Sequence, residues 1–194
     1  MKILVIADMY GTSPQLLQFA SELSGDVSIV TAGEGKTSKI NNKAHRSKGS
    51  EQQHYANKVV SKIRNLSPHL LIGFGVGSTA AWQALSMLQE ANKPQQLIAF
   101  YPSHTLDVPV SQLACPVTFY FAQHEFDFDV TPIVTMLNSQ KSVSCIRTRY
   151  QHGFMEPLSG HYDPCAYRHY LGLCQQEVAD MSSLLDEALC NYAI

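Results

Sequence analysis

The chain opens on Lys2-Ile3-Leu4-Val5-Ile6-Ala7, an unbroken apolar run of the kind found in strands buried on both faces. Thr12 or Ser13 then offers a helix cap and Pro14 a first helical position. Leu16, Leu17, Phe19, Ala20 and Leu23 follow at helical spacing, and Gly25 ends the stretch. Val27-Ser28-Ile29-Val30 predicts the next strand. The alternation continues, with strand-like runs at residues 69–73, 96–101, 117–121 and 143–149. Helical spacing fits residues 51–65, 77–91, 130–138 and 164–192, and Pro68, Pro94, Pro116 and Gly153 punctuate the series. Strands alternating with helices imply right-handed crossovers and a parallel sheet covered on both sides. The expectation is α/β: a three-layer α/β/α sandwich with a mostly parallel sheet of about six strands. No repeat or linker interrupts it, which makes residues 1–194 a single domain.

Composition narrows the class. Lys and Arg number 14 against 16 Asp and Glu, for a formal net charge of −2. These ionic residues are 15% of the chain, against about a quarter in ordinary soluble domains. With 45% hydrophobic residues, the balance favours a buried core over disorder. Near-neutral charge argues against nucleic-acid binding, and no apolar run reaches the ~20 residues of a membrane span. Lys2 is followed by only five apolar residues before Asp8, a poor signal peptide. Five scattered cysteines without a CxxC pair read as reduced thiols, hence a cytoplasmic protein. Residues 36–50 depart from the pattern, with Lys36, Lys39, Lys43, Arg46 and Lys48, no acid and almost nothing apolar. They read as a solvated loop, or as a flap that draws anions toward a nearby site.

In such a sandwich ligands bind at the carboxyl ends of the strands, so the strand-to-helix turns are where chemistry is sought. Gly33-Glu34-Gly35-Lys36-Thr37 ends like a phosphate-cradling loop, but Val30 stands where the first glycine is needed and no apolar helix follows. A phosphate- or nucleotide-binding module is therefore a weak reading. Gly73-Phe74-Gly75-Val76-Gly77-Ser78 follows a strand and opens a helix. As a dinucleotide fingerprint it has Ser78 at the third glycine, and Phe100 and Tyr101 where a ribose-binding acid belongs. As a nucleophile elbow, G-x-S-x-G, it has both flanking glycines, Gly73 and Gly77, and Gly75 in the nucleophile position.

An elbow calls for an acid and then a histidine at the ends of later strands. The run 117–121 leads into Gln123-His124-Glu125-Phe126-Asp127-Phe128-Asp129, and the run 143–149 into Tyr150-Gln151-His152-Gly153-Phe154. Asp127 is the expected partner of His152, with Glu125 and Asp129 as competitors. Such a carboxylate would fix the imidazole tautomer and stabilise its protonated form. His161, Asp163, Cys165, His169 and Cys174 are metal-ligand types, but they meet no motif spacing, and the apolar periodicity of their segment describes a packed helix. No metal or cofactor is called for.

With these residues in view, the chain resembles the dienelactone hydrolase family of α/β-hydrolases over nearly its whole length. The shared features are Gly73-Phe74-x-x-Gly77, Tyr101-Pro102 after the following strand, and the acid-bearing loop ending at Pro132. The most specific is His152-Gly153-Phe154, with Tyr162-Asp163-Pro164 and Ala166 downstream. Ala7-Asp8-Met9-Tyr10-Gly11 is similar to the family's turn after its first central strand. The resemblance implies an oxyanion hole made by the amides of Met9 and Val76. It also implies a truncated α/β-hydrolase fold, lacking the leading edge strands and with a reduced insert at residues 36–50.

The family carries Ser or Cys where this chain has Gly75, and acyl transfer needs a nucleophile activated by the histidine. The resulting expectation is a protein with lost or much reduced hydrolase activity, keeping a pocket for a small ester- or lactone-like ligand or acting through protein contacts. The competing expectation is a hydrolase of small carboxylic esters or lactones that uses water activated by His152. Loss of a triad member leaves about 10³–10⁴-fold catalysis over water in serine enzymes. Ser78, on the helix beyond the elbow, is expected to point elsewhere.

Overall fold

A computed structural model describes residues 1–33, 49–88, 93–103, 115–125 and 128–191. The elements alternate along the chain: β1 (Lys2–Ile6), α1 (Pro14–Ser21), β2 (Asp26–Val30), α2 (Gly49–Leu66), β3 (Leu70–Phe74), α3 (Val76–Ser86), β4 (Gln96–Phe100), β5 (Val117–Phe121), α4 (Val130–Asn138), β6 (Val143–Arg147) and α5 (Pro164–Asn191). The six strands form one sheet in the order β2-β1-β3-β4-β5-β6, and every neighbouring pair is parallel. The α/β sandwich expected from the alternation is therefore present. Its boundaries shift slightly. α3 stops at Ser86, five residues before the predicted end at 91, and β6 stops at Arg147 instead of 149. Most of the basic stretch at 36–50 lies outside the described residues.

The period of two along each buried strand sends alternate side chains to opposite faces. Leu4, Ile6, Leu71, Leu97 and Phe119 pack with Tyr55, Val59, Ile63, Trp82 and Leu137 from α2, α3 and α4. Ile3, Val5, Ile72, Ile98 and Phe100 pack with Leu16, Phe19, Ala166, Tyr170 and Val178 from α1 and α5. Each fully buried side chain of this size contributes about 1.5–3 kcal/mol, so the central strands anchor whatever their ends carry. α1 starts as its sequence predicts, with Ser13 Oγ accepting the Leu16 N–H at 3.1 Å and Pro14 in the first turn. The Tyr55 hydroxyl reaches the Ala7 and Val30 carbonyls at 2.9 and 3.0 Å, tying α2 to the ends of β1 and β2. Cys115, Cys145, Cys165 and Cys174 are free thiols. No described helix is long and apolar enough to cross a membrane.

Candidate active site

A single residue, Gly75, separates β3 from α3. Gly75 has φ 51° and ψ −121°, in a region that L side chains rarely adopt. A nucleophile held there would bear about 1–3 kcal/mol of strain, which glycine escapes. The Gly75 N–H donates to Phe100 O at 3.1 Å, fixing the turn against β4. Behind it, a Cβ on Gly77 would overlap the carbonyl oxygens of Ile6 and Ala7, so only glycine lets α3 sit this close to β1. Ser78 is fully buried, and its Oγ donates at 2.8 Å to the same Phe100 O that accepts the Gly75 N–H.

The space of the missing side chain is filled from another strand. A Cβ built on Gly75 would overlap Oδ1, Cγ and Oδ2 of Asp8, which follows β1. Asp8 Oδ1 accepts the Met9 N–H at 2.7 Å and the Val76 N–H at 3.1 Å. The two amides that the resemblance assigns to an oxyanion hole thus converge on one point, and the chain's own carboxylate occupies it. Sequence reading placed Asp8 in this turn but gave its side chain no role. The available signal was an acid directly after a buried strand, next to an elbow with nothing at its tip.

His152 lies in the segment after β6, and Glu125 in the segment after β5. His152 Nδ1 and Glu125 Oε2 are 2.7 Å apart. Burial alone would pull the imidazole pKa down. The hydrogen bond and charge of Glu125, with a further contribution from the charge of Asp8, outweigh burial and set it above the ordinary value. The carboxylate found on His152 is therefore Glu125, the competitor of Asp127, and Asp127 itself lies outside the described residues. Asp129 is engaged elsewhere, capping α4 through the Thr131 N–H at 2.9 Å. Tyr101 holds the other side of the imidazole, edge-on at 5.0 Å between ring centres, from a backbone with φ 35°. Glu156 also escaped sequence reading. It joins the histidine segment to α1, with Oε2 accepting Ser13 Oγ at 2.5 Å and Oε1 accepting the Leu158 N–H at 3.1 Å. Burial raises its carboxyl pKa in spite of both bonds. Among the described residues no three His, Cys, Asp or Glu side chains gather as metal ligands.

No family model matches the sequence. An uncharacterised protein of Bacillus subtilis, YczH, is 29% identical over 103 residues, and the matched stretch spans about half of each chain, 52% of this one and 49% of YczH. The fold has fuller parallels. A Klebsiella pneumoniae structure described as a dienelactone hydrolase superposes with a TM-score of 0.64 at 10% identity, covering 92% of this chain and 86% of that one. A structure from Xanthomonas campestris described as a hydrolase of the α/β superfamily gives 0.60 at 14% identity over 90% and 96%. The fold is that of the α/β-hydrolases. Naproxen esterase from Bacillus subtilis shares it as well, with a TM-score of 0.55 at 8% identity over 89% and 82%. Along the chain, Gly75 follows β3, Glu125 follows β5 and His152 follows β6.

Proposed function

We propose that this is a dienelactone-hydrolase-like protein that has given up acyl transfer from an elbow nucleophile and keeps a pocket for a small ester- or lactone-like ligand beside His152. The placement of Asp8 carries this reading. Gly75 offers no reactive atom, and Asp8 adds a second block, because its Oδ1 holds both amides that would otherwise stabilise a tetrahedral oxyanion. A substrate carbonyl could reach those donors only by displacing a carboxylate that two hydrogen bonds hold in place.

The two blocks make an uncommon demand on any attempt to restore activity. Gly75→Ser alone would drive a side chain into the Asp8 carboxyl, so it should leave hydrolysis of p-nitrophenyl acetate at the wild-type level. Gly75→Ser combined with Asp8→Ala removes both obstacles and should raise turnover about 100-fold or more, the scale of a recovered oxyanion hole. Efficient wild-type turnover, abolished in His152→Ala, would sink the reading.

One observation favours the competing reading. The Glu125–His152 pair is intact, and an oriented imidazole can activate water without an elbow nucleophile. On that reading the wild type shows slow turnover of small esters or lactones that is lost in His152→Ala.

A further inference from the structure

A small cavity lies beneath Asp8, on the side of the sheet covered by α1 and α5. It measures about 20 Å³, and its walls include Asp8, Glu156, Phe19, Phe74, Tyr101 and Tyr167. Two carboxyl groups and four aromatic rings line it, and among the described residues no lysine, arginine or histidine does. The rings form a continuous wall. Phe19 meets Phe74 edge-on at 5.2 Å and Tyr167 at 6.4 Å, and Phe74 lies 6.3 Å from Tyr101.

The tyrosine supplies an independent observation. Tyr101 is completely buried, yet its hydroxyl finds no hydrogen-bond partner among the described residues. A buried hydroxyl left so costs about 1–3 kcal/mol, and an occupant of the cavity would remove that cost. The acids limit what the occupant can be. Asp8 Oδ1 is committed to the Met9 and Val76 amides, which leaves Oδ2 as an acceptor. Both Glu156 oxygens already accept a bond. Among the described residues the site therefore offers carboxylate acceptors, the Gln15 amide, negative charge and aromatic faces, and no cationic side chain. Aromatic faces and carboxylates attract the same kind of group, a cation that donates hydrogen bonds. Size then discriminates among cations. About 10–15 Å³ admits one water-sized group, so an ammonium head fits and a quaternary ammonium does not.

We propose that the cavity lined by Asp8, Tyr101 and Glu156 binds the ammonium group of a small primary amine. The proposal goes beyond the reading of a pocket beside His152, which does not line this cavity, and shares with it only the placement of Asp8. It reverses the polarity expected of a hydrolase site, where the oxyanion amides select a carbonyl oxygen. Here the internal carboxylate satisfies those amides and presents negative charge in their place.

Calorimetric titration with methylammonium chloride, against sodium chloride at equal ionic strength, tests it. Ammonium chloride and ethylammonium chloride run in parallel, to separate the bare ion from an alkylated head. The expected result is saturable methylammonium binding that tetramethylammonium does not reproduce. Affinity should fall about tenfold or more in Asp8→Asn, the loss of one charge-assisted contact, and fall measurably in Tyr101→Phe. Heats indistinguishable from sodium chloride would overturn the proposal, as would binding undiminished in both variants. Should Asp8→Asn fail to fold, Tyr101→Phe decides alone. Esterase turnover by the wild type would sink the earlier reading without altering these isotherms, so the two failures are distinguishable.

Discussion

Asp8 presents Oδ1 to the Met9 and Val76 amides much as an acylated elbow would present its carbonyl oxygen, with Cγ close to the acyl position. The side chain imitates a reaction intermediate that the chain, with Gly75 at its tip, has no atom to form. At the same scale, His152 reports on its two acidic neighbours. Burial of its ring opposes protonation, and the bond and charge of Glu125, then the charge of Asp8, reverse that effect. An NMR titration of the imidazole should place its pKa above the ordinary histidine value in the wild type. In Glu125→Gln it should drop below the wild-type figure, because burial remains while the main opposing charge is gone. An unchanged pKa in that variant would remove Glu125 from the account. Folding raises this pKa, so the protonated pair adds stability below the ordinary histidine value. That contribution fades as pH rises through the folded value.

Elements matter here through how closely they approach. α3 lies against β1 because Gly77 has no Cβ to meet the Ile6 and Ala7 carbonyls. Gly77→Ala must push backbone against backbone, and thermal or urea unfolding should show a loss of about 3 kcal/mol or more. A variant as stable as the wild type would mean that α3 has room to move. Elements of this kind were legible in the sequence. The Ile3–Ala7 run, the Ser13-Pro14 start of α1 and the Gly73/Gly77 spacing each encode their structure locally, through burial on both faces, a cap, and the absence of a Cβ. The site was legible only where one segment decides it. His152 could be singled out because its segment ends a strand and carries Gly153. The choice among Glu125, Asp127 and Asp129 depended on how a short loop turns, which no local pattern specifies. Asp8 was harder still, since its contact with Val76 spans 68 residues of sequence and depends on the space beside Gly75.

Across the whole molecule, the parallel sheet brings the ends of β1, β3, β5 and β6 to one edge, and the core on each face holds them there. An open oxyanion hole at such an edge is a standing liability, because two amides point at nothing until substrate arrives. Asp8 removes that liability. Asp8→Ala should therefore lower stability by about 1–3 kcal/mol, the cost of unsatisfied donors, and Gly75→Ser should lower it through overlap and strain at φ 51°. Thermal unfolding of both single variants and the double variant checks this, and the double should lose less than the sum, since Asp8→Ala makes room for the serine. A return to serine chemistry thus requires two changes, each harmful when it comes first. On the proposed reading of a lost nucleophile, such an arrangement acts as a one-way step in descent: once glycine and the inserted carboxylate coexist, selection for folding alone opposes a return to serine.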